Sequence, residues 1–139
     1  MKLFFLFFFF LGSTLDAAPK TICLNMIVKD ESAVIKRCLD SVKPLIDSWV
    51  IVDLGSVDGT QAVIKECLKD IPGELYEKPL KGPEENCNEA LQLAKGKADY
   101  ILFMGGEDWI EFDSTFQLPA LSEDVYCKDR TQKWGNRRL

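Results

Sequence analysis

The chain contains no histidine among its 139 residues. This absence excludes histidine-based acid–base catalysis, histidine metal ligands and Ser-His-Asp triads. A surplus of positive charge is also missing, because the formal net charge is -5. Proteins that bind the phosphate backbone of nucleic acids need a basic face, so we expect no nucleic-acid partner. The five cysteines include no C-x-x-C pair, which argues against a zinc site or a thioredoxin-like redox site.

The first residues differ in character from the rest of the chain. Lys2 precedes an unbroken apolar run from Leu3 to Leu11, which is too short to span a bilayer but is typical of a secretory signal peptide. We therefore expect residues 1–18 to be a signal peptide or an N-terminal hydrophobic segment, followed by one domain over residues 19–139. The protein would then be exported or associated with a membrane. An uncleaved anchor and a mis-assigned start codon are the alternatives, and the last of these would leave the protein cytoplasmic.

Apolar segments typical of buried strands alternate with segments of helical periodicity in the predicted domain. Strands are predicted at 21–28, 49–52, 74–77 and 99–104, and the apolar positions between them recur at helical spacing. Hydrophobic residues make up 47% of the sequence, which is enough for a folded core. The order β-α-β-α-β-α-β predicts an α/β fold, with a Rossmann-like, mostly parallel sheet covered by helices on both faces.

Polar and acidic side chains are concentrated where three of the predicted strands end. In parallel sheets of this type, ligands bind beyond the carboxyl ends of the strands. We therefore expect a binding site where these ends meet. The three strand ends are Lys29-Asp30-Glu31, Asp53-Leu54-Gly55-Ser56 and Gly105-Gly106-Glu107-Asp108.

The turn from Asp53 to Thr60 carries the most specific pattern. A carboxylate at the end of a buried strand is expected to be exposed at the ligand edge, where Asp53 could accept hydrogen bonds from a ribose or a base. Gly55 and Gly59 permit positive φ angles and a close approach of the backbone to a ligand. Asp58 and Thr60 are suited to start the following helix. A capped strand-to-helix connection without any ligand is the alternative interpretation.

The segments 25–31 and 53–60, followed in order by an apolar strand that ends in acids, closely resemble the amino-terminal half of glycosyltransferase family 2. The resemblance covers about residues 21–113 and implies a GT-A fold. It implies a nucleotide-diphosphate sugar as donor, above all a UDP-sugar, and an unknown acceptor. Asp53 would contact uracil or ribose, and Glu31 would lie beside the base. The nucleotide-binding residues implied by the resemblance are Glu31, Asp53, Gly55, Ser56 and Asp58.

The family's metal-binding Asp-x-Asp motif is altered in this chain. Gly105 stands at the position of the first acid and Glu107 at that of the second, and Asp108 follows. The resemblance implies Mn²⁺ or Mg²⁺, which prefer oxygen ligands and offset charge on the leaving diphosphate. We expect a weakened site at Glu107 and Asp108. The alternative is that both residues only cap the next turn. Cys87 stands where the family often has an arginine that faces the diphosphate.

The family's catalytic base and acceptor site belong to a carboxyl-terminal half, whereas this chain ends at Leu139. We assign no catalytic residue, since none of the remaining acids matches a family base position. The sequence therefore favours two functions, a glycosyltransferase or a truncated, inactive nucleotide-binding remnant. A phospho-acceptor domain of unrelated doubly wound fold is a third hypothesis. The acids that match no base position are Glu111, Asp113, Glu123 and Asp124.

Overall fold

The computed structural model describes residues 18–112, 115–118, 120 and 121, together with the backbone of 127–128 and 134–135. Residues 1–17 of the predicted signal segment lie outside the described residues, as do three of the acids considered as bases. Among the helices of the described part, none is long and apolar enough to cross a membrane. The acids outside the described residues are Asp113, Glu123 and Asp124.

Strands and helices alternate in the predicted order over the described domain. The third predicted helix ends before Gly96, whose positive φ of 77° suits a glycine just past a helix end. A short 3-10 helix, Lys43–Leu45, contains Pro44 and follows directly after the first helix. The elements are β1 Ile22–Val28, α1 Ile35–Val42, β2 Ser48–Asp53, α2 Thr60–Cys67, β3 Gly73–Glu77, α3 Pro83–Ala94, β4 Tyr100–Gly105, β5 Cys127–Lys128 and β6 Trp134–Gly135.

Four parallel strands form the main sheet in the order β3-β2-β1-β4. The register pairs Val28 at the end of β1 with Asp53 at the end of β2, and Ile27 with Gly105 at the end of β4. Three strands therefore end level with one another, and the loops that follow them share one edge of the sheet. The strands β5 and β6 pair separately as an antiparallel ribbon.

Helices cover both faces of the sheet, which confirms the predicted layers. Successive side chains of a strand point to opposite faces. On one face, Leu24 and Met26 of β1 pack in a single cluster with residues of α1 and α2. On the other face, Cys23 packs with Val50 and with Ala94 of α3. The central strands are thus buried on both sides, whereas β3 at the edge is largely exposed.

No side chain of the polar segment after β1 caps α1. The helix begins at Ile35 with Val34 at its N-cap position, and no side chain makes a capping hydrogen bond. The backbone carbonyl of Glu31 accepts hydrogen bonds from the amides of Val34 and Ile35 instead. The polar groups of Asp30 and Ser32 are used differently, because they bond to the loop that follows β2.

Candidate functional site

Three loops meet at the carboxyl edge of the sheet, which confirms the expected gathering of the strand ends. The first loop, residues 29–34, follows β1, and the second loop, residues 54–59, follows β2. The third loop, residues 106–109, follows β4. Because β1 lies between β2 and β4, the first loop is the neighbour of both others. The described candidate residues all belong to these loops or to the strand ends that carry them.

Asp53 ends β2 and is completely buried, so the expectation of an exposed carboxylate is wrong. Its Oδ1 accepts hydrogen bonds from the amide and the hydroxyl of Ser56, at 3.1 and 2.5 Å. Its Oδ2 accepts a hydrogen bond from the side-chain amide of Gln61 in the first turn of α2. The cover arises because the turn folds Ser56 back over the strand end while α2 places Gln61 above it. A ligand reaches this carboxylate only after part of the cover moves.

Hydrogen bonds join the first loop to the second along their length. The amide of Asp30 donates to the hydroxyl of Ser56 at 2.8 Å, and its Oδ1 accepts from the amide of Val57 at 2.8 Å. The side chain of Val57 is 91% exposed, so only its backbone takes part. The Lys29 ammonium donates to the carbonyl of Gly55 at 3.2 Å. Gly55 has a φ of 88°, a left-handed conformation that glycine adopts without strain.

Thr60 and Asp58 continue the same junction towards α2. The buried Thr60 hydroxyl accepts a hydrogen bond from the amide of Glu31 at 2.8 Å and donates to Oδ1 of Asp58 at 2.5 Å. Oδ2 of Asp58 accepts from the amide of Ser32 at 2.9 Å. These bonds, the one from the Thr60 hydroxyl first, hold the pKa of the Asp58 carboxyl well below its usual range. Asp58 therefore remains an anion that ties the two loops together.

Glu31 is half-buried between the first and third loops. Its Oε2 is shielded from solvent and has no hydrogen-bond partner. A Cβ atom built on Gly106 would lie 1.5 Å from this oxygen, so the carboxylate occupies space that only a glycine leaves open. Burial raises the pKa of the Glu31 carboxyl, and the nearby charges of Glu107 and Asp58 raise it further. Position 106 thus controls where the carboxylate of Glu31 can lie.

The two residues predicted to bind a metal occupy different positions in the third loop. Glu107 is exposed, and its charge acts on Glu31. Asp108 is also exposed, but its Oδ2 accepts a hydrogen bond from the amide of Gly105 at 3.3 Å. Asp108 therefore closes the turn that begins at the end of β4. Within the described ranges, no group of three or more aspartate, glutamate, cysteine or histidine side chains is arranged to hold a metal ion.

An aromatic ring at the end of the third loop contacts a cationic side chain of α1. The ring of Trp109 is 41% exposed, and the guanidinium carbon of Arg37 from α1 lies 3.7 Å from its centroid. This contact places a positive charge beside an otherwise acidic loop. On the other side of the sheet, Cys87 is partly buried in α3. Its neighbour Asn86 is buried and holds the loop before α3 by donating to the carbonyl of Pro79 at 3.1 Å.

Three residues make contacts in the site that were not predicted. Thr60 was expected only to start a helix, yet it joins three segments of the site. Gln61 covers Asp53, and nothing in its local sequence indicates this contact. Gly106 makes room for Glu31 across the sheet edge. The Gly-Gly pair at a strand end was the available signal for Gly106, since glycine in such a position often marks a close approach.

Comparison with known proteins connects these loops to one family. The sequence model described as "Glycosyl transferase family 2" matches residues 23–118. A TPR repeat-containing protein of Synechococcus elongatus is 29% identical over 124 residues, which are 85% of this chain and 30% of that protein. The chain thus spans less than a third of the length of this relative.

Two solved structures are similar to the described sheet. The structure of S. aureus TarS 1-349 in complex with UDP has a TM-score of 0.56 and 21% sequence identity, covering 65% of this chain and 28% of that chain. The structure of M. tuberculosis glucosyl-3-phosphoglycerate synthase in complex with Mn²⁺, UDP and glucosyl-3-phosphoglycerate has a TM-score of 0.47 and 23% identity, covering 63% of this chain and 33% of that chain. The similarity to TarS confirms the GT-A type of sheet.

Proposed function

The chain belongs to glycosyl transferase family 2, and from this premise we propose that it binds a nucleotide-diphosphate sugar and transfers the sugar to an acceptor. The proposed donor is a UDP-sugar, because TarS, which shares the fold, was solved with UDP. The binding site would be the carboxyl edge of the sheet, where ligands of such folds bind.

The observation that carries this proposal is the joined pair of loops at the ends of β1 and β2. Asp30, Asp58 and Thr60 hold these loops in one arrangement through hydrogen bonds between side chains and backbone. A binding site held in advance loses less conformational entropy when its ligand arrives. Both loops lie inside the segment that the family model matches. A capped connection would need only the bonds within the second loop, whereas the bonds observed extend to the first.

We assign the recognition of the base to Asp53 and Glu31. The carboxylate of Asp53 is an acceptor, so it suits a base edge or a ribose hydroxyl that donates a hydrogen bond. The donors that now cover it, Ser56 and Gln61, show that its oxygens accept hydrogen bonds in this environment. Binding would exchange the Gln61 contact for one with the ligand. Gly55 brings the backbone close to the ligand without a side chain in between.

A divalent cation is the proposed cofactor, either Mn²⁺ or Mg²⁺. The residues present fit such an ion in part, because Glu107 is exposed at the edge and the Oε2 of Glu31 is a buried oxygen without a donor. We propose that Glu107 holds the ion and that Asp108 contributes after release of its bond to Gly105. A bound ion would offset the negative charge that builds on the departing diphosphate. The protein supplies few ligands, so we expect weak binding until the diphosphate completes the site.

A second candidate function is nucleotide binding without transfer. Two observations favour it, namely the glycine at position 105 and the hydrogen bond that occupies Asp108. Both reduce the number of carboxylate oxygens that can face a diphosphate. A remnant of this kind would retain the junction around Asp53 and bind UDP while it fails to cleave a UDP-sugar.

Calorimetric titration of the full chain with UDP in the presence of Mn²⁺ tests the proposal. We expect binding that weakens at least tenfold in Asp53→Ala and in the isosteric Asp53→Asn. The matched control is Asp70→Ala, which removes an exposed carboxylate beyond the end of α2. Circular dichroism checks that the buried substitution leaves the fold intact. No binding of UDP by the unaltered chain, or equal binding by all variants, would contradict the proposal.

The release of UDP from a panel of UDP-sugars separates the two candidate functions. A transferase hydrolyses its donor slowly even without an acceptor, so UDP should accumulate and do so faster with Mn²⁺. A nucleotide-binding remnant binds UDP in the same titration but releases none from the sugars. The Asp53→Asn variant is the control for contaminating hydrolases, because true turnover must fall with it.

We also propose that residues 1–18 direct the protein to export or to a membrane. The support is the apolar run that follows Lys2 in the sequence. Fractionation of cells that express the full chain tests this proposal, with a variant carrying Phe8→Asp as the comparison. The same distribution of both proteins between soluble and membrane or exported fractions would contradict it.

A further inference from the structure

Glu31 and Gly106 fit together across the gap between the first and third loops. The three heavy atoms nearest to a Cβ on Gly106 all belong to the carboxyl group of Glu31, at 1.5, 2.7 and 3.4 Å. Gly106 is buried, and it is not among the glycines with positive φ. Its backbone would accept an alanine, so the space around it, rather than its conformation, requires a glycine. The missing side chain at position 106 is what allows the Glu31 carboxylate to lie there.

The place that Glu31 occupies favours a cation. Its Oε2 has no donor, although a buried carboxylate oxygen is stable only when a donor or a positive charge faces it. The neighbouring charges of Glu107 and Asp58 are negative and therefore make the position worse for an isolated anion. The carboxylates of Glu31, Glu107 and Asp58 together make the position attractive for a metal ion. Hard divalent ions prefer carboxylate oxygens, and such an ion would reverse the local electrostatic penalty.

The sheet register brings this carboxylate to the strand end where the family's first metal-binding acid is missing. Ile27 near the end of β1 pairs with Gly105 at the end of β4, so the loops that follow these residues are adjacent. Glu31 comes four residues after Ile27, and its side chain returns to Gly106, the immediate neighbour of Gly105. A carboxylate from β1 thus lies beside the position at which β4 carries none.

We propose that Glu31 replaces the acid absent from position 105 and forms, together with Glu107, a divalent-cation site between the first and third loops. This inference rests on the proposed function, since oxygens of the nucleotide diphosphate and water would complete the coordination. It assigns to Glu31 a contact with the ion in addition to its place beside the base. The proposal also explains why the residue next to position 105, where the metal-binding acid is missing, is a glycine. Any larger residue at position 106 would displace the carboxylate of Glu31.

Two substitutions separate the charge of Glu31 from its position. Glu31→Gln keeps the size and removes the charge. Gly106→Ala keeps the charge but moves the carboxyl group, since the new Cβ would overlap the flexible end of the Glu31 side chain. The matched controls are Glu66→Gln, on the exposed surface of α2, and Gly82→Ala, where an added Cβ meets nothing within 4 Å. Thermal unfolding confirms that all four variants are folded.

Mn²⁺ binding to the full chain is measured by electron paramagnetic resonance, which reports free Mn²⁺ directly and needs no activity. Titrations are carried out with Mn²⁺ alone and with Mn²⁺ plus UDP. We expect both Glu31→Gln and Gly106→Ala to weaken Mn²⁺ binding at least tenfold, because loss of a residue that only orients a metal ligand can already cost about 10–100-fold in affinity. The two control variants should bind as the unaltered chain does. Glu107→Gln should weaken binding to a similar extent.

Several results would overturn the inference. Loss of binding in Glu107→Gln, with no change in Glu31→Gln, would show that the ion does not need Glu31. Loss in Glu31→Gln, with no change in Gly106→Ala, would show that the position over Gly106 is irrelevant. Binding of UDP without any Mn²⁺ binding would overturn this inference and leave the proposed function standing. Mn²⁺ binding that depends on Glu31, without binding of UDP, would support the site and overturn the proposed function.

Discussion

Thr60→Val should destabilise the protein by breaking the junction between the first and second loops. The substitution keeps the shape of the side chain and removes only its hydroxyl. That hydroxyl is completely buried, accepts the Glu31 amide at 2.8 Å and donates to the Asp58 carboxylate at 2.5 Å. The amide of Glu31 would lose its acceptor in a place where little water can replace it.

The expected loss of stability follows from the Glu31 amide. A buried donor without a partner costs about 1–3 kcal/mol, and we expect the free energy of unfolding to fall by this amount. The chain offers a matched control in Thr21, whose hydroxyl also accepts a backbone amide and donates to a carboxylate. Both of its bonds, from the amide of Asp99 and to its Oδ2, are 3.0 Å long but exposed. Water replaces them, so Thr21→Val should have an effect several-fold smaller.

Urea unfolding of the full chain, followed by circular dichroism, measures both effects under the same conditions. Equal slopes of the unfolding transition in the three proteins are needed to compare their midpoints. A decrease in the free energy of unfolding that is no greater for Thr60→Val than for Thr21→Val would refute the reasoning, because the two hydroxyls differ in burial. An unchanged stability of Thr60→Val would show that the loops do not depend on this junction.

Three further predictions follow from other contacts of the described chain. The low pKa of Asp58 stabilises the fold above the usual carboxyl pKa of about 3.9, and this stabilisation is lost as the pH falls below that value. In urea unfolding, the difference in stability between the unaltered chain and Asp58→Asn should therefore shrink from about pH 5 to about pH 2. A difference that stays constant over this range would contradict the prediction. Gly73→Ala should cost about 1–3 kcal/mol in thermal unfolding, because a Cβ there would lie 2.2 Å from the buried ring of Trp49, and an unchanged midpoint would refute the clash. Gln61→Ala should raise the affinity for UDP about two- to tenfold in calorimetry, since a competing donor leaves Asp53, whereas a lower affinity would mean that Gln61 itself contacts the ligand.

The fold followed from local patterns, because hydrophobic periodicity reports which residues are buried. The alternation of strands and helices from β1 to β4 was predicted, and the bounds of these four strands differ from the observed ones by at most one residue. The short antiparallel pair β5 and β6 was not predicted. The family membership was predicted from the segments 25–31 and 53–60, and the match over residues 23–118 confirms it. The order of strands could not be predicted in this way. It depends on pairing between distant residues, such as Ile27 of β1 with Gly105 of β4.

The sequence predicted where the site lies more accurately than how its side chains are arranged. The strand ends meet as expected, yet Asp53 is buried rather than exposed. The reason is that its cover comes from Gln61, eight residues further along, and depends on how α2 is placed against the sheet. Likewise, the polar residues after β1 form hydrogen bonds with the second loop instead of capping α1. The second loop places its donors and acceptors within hydrogen-bonding distance of these residues. Such contacts are set by packing between elements, which no local pattern records.

The separation of backbone and side chain at Val57 has a practical use. Its amide holds Asp30 while its side chain extends into solvent, 91% exposed, at the rim of the site. The identity of this side chain is therefore independent of the junction that its backbone maintains. A fluorophore attached at this position would lie at the rim of the candidate site without disturbing the hydrogen bonds beneath it. The second loop thus carries an attachment point for an optical probe that would report whether the proposed ligand is bound.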